Sequence, residues 1–124
     1  MSKQATKYIK LTLPQIHSKL QTLPIKWQLT PNPQHPTSIS TTLKFKTYED
    51  TWSYLTKISM RSHLAGHHPT ITTTYNEVSL LLSTHDVSGL SELDFKLAKR
   101  FSDYALLVPG AKFEKLEHEV TKDI

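Results

Sequence analysis

The sequence predicts an α+β domain in which a four-stranded antiparallel sheet carries three helices packed on one face. Three observations lead there: runs whose apolar residues alternate with polar ones, hairpin-length connections between those runs, and amphipathic segments set among them in the order helix, strand, strand, helix, strand, strand, helix. Strands that are apolar on one side and joined by hairpins suit an antiparallel sheet covered on a single face. With 124 residues the chain supports one core rather than two.

Thr12 is a candidate N-cap with Pro14 in the first turn, and Leu13, Ile16, Leu20 and Leu23 follow at helical spacing, so a first helix should end near Pro24. "IKWQLT" (Ile25 to Thr30) is strand-like, and "PNPQHP" (Pro31 to Pro36) reads as a connection. Ile39, Thr41, Leu43 and Phe45 alternate with Ser40, Thr42 and Lys44, which predicts a half-buried strand pairing with the one before it. Thr47 caps a second helix whose Tyr48, Trp52, Leu55, Ile58 and Ser62 share a face, and Gly66 should stop it. Two more alternating runs, Ile71 to Tyr75 and Val78 to Thr84, flank Asn76 and Glu77. A turn at those two residues sets Ile71 opposite Leu82, Thr73 opposite Leu80 and Tyr75 opposite Val78. "SELD" (Ser91 to Asp94) resembles a capping box opening a third helix with Leu93, Leu97, Phe101, Tyr104 and Val108 on one stripe. Pro109 and Gly110 break it, and residues 111–124 are a charged tail with room for a loose extra helix. The expected organisation is a basic tail over 1–11, one domain over 12–108 and a charged tail over 109–124.

Composition narrows the chemistry. There are no cysteines, so disulfides, thiolate metal sites and a Cys nucleophile are excluded, and reactivity must rest on His, acid, hydroxyl or amine groups. No run of eighteen apolar residues is present, so no membrane partner is expected. The net charge of +4 is uneven: residues 1–48 hold seven Lys and no acid, whereas residues 49–124 hold eight bases and eleven acids. Without an Arg cluster or basic residues interleaved with aromatics, those lysines read as a solvated surface, and no direct nucleic-acid partner is expected. The first Arg is Arg61, unlike an Arg-rich mitochondrial leader, so the expected compartment is the cytoplasm, with the mitochondrion as the alternative. One-sided strands leave a bare sheet edge, which predicts a homo-dimer or homo-tetramer.

His67 and His68 precede Pro69, and His85 follows seventeen residues after His68. The hairpin register expected above places His68 opposite His85 at the open end, with His67 pointing the other way. Three imidazoles could bind zinc, yet adjacent residues on an extended chain project to opposite sides, and no HExxH-like spacing is present. A lone histidine more often caps loop carbonyls, but three at one hairpin mouth suit acid/base work. Two close imidazoles tend to hold opposite protonation states, which furnishes one acid and one base for eliminating water across a bond. Asp94, one turn into the last helix, serves either as a helix cap or as part of that site.

The spacing of His63, His67, His68, Pro69, Tyr75, His85 and Asp94 closely resembles the signature of pterin-4a-carbinolamine dehydratases, also known as dimerisation cofactors of a homeodomain transcription factor. "LSTHDVSGLSELD" (Leu82 to Asp94) is similar to that family almost throughout, and a weaker likeness runs through "LKFKTY" (Leu43 to Tyr48) back to Trp27. The resemblance covers about residues 12–107. It implies dehydration of 4a-hydroxytetrahydrobiopterin to quinonoid dihydrobiopterin in pterin recycling, without a cofactor or metal. It implies catalytic roles for His67, His68 and His85, and contact with the pterin substrate for His63, His68, Pro69, Tyr75 and Asp94. A non-catalytic coactivator that binds another protein is the alternative it carries. His63 stands where many members have Glu, and Gly66 where an acid is common.

Overall fold

A computed structural model of the chain describes residues 8–32 and 35–114. The start of the basic tail, the tip of "PNPQHP" and any helix beyond residue 114 lie outside the described residues. The elements are α1 (Leu13–Leu20), β1 (Gln28–Asn32), β2 (His35–Lys44), α2 (Tyr48–Ala65), β3 (Thr70–Thr74), β4 (Glu77–Leu82), a 3-10 turn (His85–Val87), α3 (Glu92–Leu106) and β5 (Lys112–Phe113). The sheet runs β1-β2-β4-β3 with antiparallel neighbours, and β5 adds to β2 beside β1. Three helices and this sheet make the expected α+β fold, with a short fifth strand at the start of the segment that the charge pattern assigns to the tail.

The helix limits follow the capping residues. Thr12 accepts from the Gln15 N–H while the Gln15 side chain accepts from the Thr12 N–H, a reciprocal cap at α1. Thr47 accepts from the Asp50 N–H at the start of α2. Gly66 ends α2 in the left-handed region at φ 67°, where a side chain would be strained. That reversal lets the His67 N–H bond back to the Ser62 carbonyl and aims the chain toward β3.

The core lies between the sheet's inner face and the helices. Ile39, Leu43, Val78, Leu80 and Leu82 of the central strands are buried against Leu55, Ile58, Leu97, Ala98 and Phe101 of α2 and α3. Two polar contacts cross it. The Trp27 indole donates to Ser102 Oγ at 2.9 Å, and the Tyr54 hydroxyl donates to the Phe101 carbonyl at 2.9 Å. Burial pushes the Tyr54 phenol well above its ordinary pKa, so it remains a donor. The outer face is lined by hydroxyl pairs, Thr30 with Ser40 and Thr42 with Ser79.

Four sequence expectations are corrected. "PNPQHP" is mostly strand: β1 reaches Asn32 and β2 starts at His35, these two being partners across a register shift at Pro31, where a residue lacking an N–H is tolerated. The β3–β4 turn is Tyr75–Asn76 rather than Asn76–Glu77, so Ile71 faces Leu80, Thr73 faces Val78, and Thr74 faces Glu77. Asn76 is engaged elsewhere, because its backbone carbonyl and side-chain amide both bond to Phe45 at the end of β2, each at 2.8 Å. Tyr75 takes the left-handed position at φ 51° instead. The buried face of α2 is Thr51, Tyr54, Leu55, Ile58 and Ser62, while Tyr48 and Trp52 lie outside with their rings 6.2 Å apart. On α3 the stripe turns toward Asp94, Phe95, Ala98, Ser102 and Ala105 beside the expected Leu97 and Phe101, leaving Leu93, Tyr104 and Val108 at its margin.

The corrected face of α2 separates two substitutions. Ile58→Ala empties a fully buried site and should cost about 2–5 kcal/mol, whereas Trp52→Ala on the exposed side should cost under about 1 kcal/mol. Urea unfolding with an unchanged m-value reads the difference, and equal losses would contradict the assigned face.

Candidate active site

The site begins with a carboxylate that solvent does not reach. Asp94 stands in the first turn of α3 with 0% exposure. Its Oδ2 accepts from the Ser91 N–H at 3.0 Å and from the Thr84 hydroxyl at 2.6 Å, and its Oδ1 lies 2.7 Å from His67 Nε2. Thr84 Oγ1 is also 2.7 Å from Ser91 Oγ, and both hydroxyl residues are buried. Asp94 is therefore at once the cap of α3 and the partner of a histidine; the two roles the sequence offers for it coexist.

Each partner arrives from a different element. Gly66 reverses the chain after α2 and delivers His67, whose side chain is 11% exposed. β4 delivers Thr84: Val78, Leu80, Leu82 and Thr84 fall on the inward side, and Thr84 closes a small loop by bridging Gly89. The loop between them holds the 3-10 turn with His85 at its start, exposed to solvent. His68, next to His67, points outward, and its ring centroid is 6.1 Å from that of His63 in the last turn of α2. Pro69 is half-buried between His68 and β3.

His67 and Asp94 are thus joined directly, His63 and His68 form a second pair, and His85 follows the threonine that holds Asp94. His68 and His85 are not ladder partners, because the pairing of β3 with β4 ends at Thr70 and Leu81 in the corrected register. Tyr75 stands apart. It caps the far end of β3, roughly 20 Å from the histidines by strand rise, and stacks on Tyr48 with ring centroids 6.2 Å apart. Among the described residues no three His, Asp or Glu side chains are grouped to hold a metal ion. No described helix is long and apolar enough to cross a membrane.

Thr84, Ser91 and Tyr8 are the site residues that sequence reasoning leaves out. Thr84 carries a signal, being a polar residue at an inward position of an otherwise apolar alternation, and Ser91 is the first letter of the capping box. Tyr8 has none. Its ring lies 6.5 Å from that of His67, and the segment carrying it is anchored where the Leu11 N–H donates to the Leu90 carbonyl at 2.9 Å.

The family model described as pterin 4 alpha carbinolamine dehydratase matches residues 9–104, a span that includes every residue of the His67–Asp94 network. The chain belongs to this family. A Saccharomyces cerevisiae protein provisionally named a pterin-4-alpha-carbinolamine dehydratase is 45% identical over 87 residues, covering 64% of this chain and 71% of the yeast protein. A relative with the same provisional name from Acidobacterium capsulatum is 39% identical over 89 residues, covering 72% of this chain and 90% of its own length. The crystal structure of a Brucella melitensis protein described as a transcriptional coactivator/pterin dehydratase superposes with a TM-score of 0.72 at 27% identity, over 78% of this chain and 99% of that one. A pterin dehydratase-like protein described as a RuBisCO assembly factor shares the fold alone, with a TM-score of 0.55 at 21% identity over 64% of this chain and 88% of its own.

Proposed function

We propose that this family member dehydrates 4a-hydroxytetrahydrobiopterin to quinonoid dihydrobiopterin by general acid/base catalysis, with the histidines as the proton carriers. The observation that supports this most is the 2.7 Å contact between His67 and a fully buried Asp94. A histidine so partnered is held in one orientation, with one ring nitrogen on the carboxylate and the other free to meet a substrate.

Dehydration breaks the C4a–O bond and the N–H bond of the neighbouring ring nitrogen. The electron pair of that N–H becomes the second bond of C=N, and the hydroxyl leaves with a proton as water. His67 takes the ring proton, and the positive charge that forms on it faces the Asp94 carboxylate. His85 gives its proton to the departing hydroxyl. Proton exchange with solvent then resets both, which is straightforward for the exposed His85. His68 and Pro69 border the pterin, with His68 assisting dehydration. His63 extends that border on the solvent side, a histidine in place of the more common Glu.

A second role, protein binding as a dimerisation cofactor, is supported by the double description of the Brucella neighbour and by exposed Met60, Leu64, Leu106 and Leu107 on α2 and at the end of α3. Turnover separates the two, since a protein that only binds a partner leaves the 4a-hydroxyl in place. For self-association we propose β3 as the pairing edge, because Thr70–Thr74 end the sheet with no strand beyond them among the described residues.

Replacing His67 or His85 by Ala should each lower turnover of the 4a-hydroxypterin by roughly two to four decades in a spectrophotometric assay, with the double variant far from multiplicative. Wild-type turnover in either single variant would remove that residue from the mechanism. Light scattering at micromolar protein should return a dimer or tetramer; a 14.2 kDa particle would contradict the edge pairing.

A further inference from the structure

The two buried hydroxyls beside Asp94 admit only one hydrogen-bond direction. A carboxylate accepts and does not donate. Thr84 Oγ1 has a single hydrogen and two oxygen neighbours, Asp94 Oδ2 at 2.6 Å and Ser91 Oγ at 2.7 Å. Its hydrogen goes to Asp94, so the Ser91 hydroxyl must donate to Thr84. With the Ser91 N–H added at 3.0 Å, Oδ2 is filled by donors from one side, and Oδ1 is left facing His67 Nε2.

We infer that Thr84 is a positioning residue for the reaction: the one-way chain from Ser91 through Thr84 to Asp94 fixes the carboxylate so that neutral His67 carries its proton on Nε2 and meets the substrate through Nδ1. The inference rests on the acid/base role proposed for His67 and adds which nitrogen reacts and what holds it there. The hydroxyl of Thr84 bonds to Asp94 and Ser91. It acts through Asp94, as a partner behind a reacting group does, where loss typically costs ten- to a hundredfold.

The test has two arms. In the first, 15N NMR of the histidine-labelled full chain at alkaline pH reads the tautomer of the neutral ring directly, with or without turnover. The wild type should show the Nε2–H form, and Thr84→Val should populate the Nδ1–H form. In the second, Thr84→Val should lower kcat about ten- to a hundredfold with KM within about twofold, Thr84→Ser should recover most of the loss, and Ser91→Ala should lower kcat less than Thr84→Val. A wild-type His67 in the Nδ1–H form overturns the inference without any variant. So does a Thr84→Val enzyme with wild-type kcat and tautomer, or a Thr84→Ser enzyme as slow as Thr84→Val. A wild type with the Nε2–H tautomer and no pterin turnover would instead overturn the proposed function while leaving the hydroxyl chain in place.

Discussion

Asp94 is a charged group with no solvent, and an isolated carboxylate there would cost several kcal/mol. It is tolerable because three separate parts of the chain each supply a polar partner: the turn after α2 through His67, the end of β4 through Thr84, and the start of α3 through the Ser91 N–H. The same bonds work in reverse. They hold the turn after Gly66, the loop carrying His85 and the first turn of α3 in one arrangement, so the site's geometry and the packing of these elements are a single constraint.

The sheet and helices make that constraint possible. β4 is central in the sheet, buried on its inner side, and its inward alternation ends on Thr84 rather than on another apolar residue. α3 shares the core with that strand, its Leu97, Ala98 and Phe101 buried in the same cluster as Val78, Leu80 and Leu82, and Asp94 in its first turn bonds to Thr84. The N-terminal segment completes the wall, since Leu11 is buried and bonded to Leu90, one residue before Ser91.

Much of this was legible in the sequence because the signals were local. Thr12, Thr47 and Gly66 mark helix ends by their own hydrogen bonds or backbone conformation. The sheet's faces also survived the wrong β3–β4 register, because an error of two residues preserves which side each residue faces. What misled was tertiary. Asn76 looks like a hairpin-turn residue, but Phe45 engages both its amide and its carbonyl, and the turn moves to Tyr75. Tyr48 and Trp52 match a helical stripe as well as Thr51 and Tyr54 do, and only tertiary partners, Phe101 of α3 and Phe45 after β2 on Tyr54, choose between them. At the site, the histidine and Asp spacing was visible as a family pattern, whereas the bond between His67 and Asp94 depends on a chain reversal and a helix position that no spacing encodes.

The central claim is that the pterin reacts against the histidine held by Asp94. A crystal structure with a dihydropterin bound tests it most directly. The pterin's C4a–N5 edge should lie within reach of His67 Nδ1, about 2.6–3.2 Å directly or through one water, with His85 and His68 on the same ligand and the His67–Asp94 bond intact. A dihydropterin seated away from His67, or one that engages its ring only after that bond has broken, would contradict it.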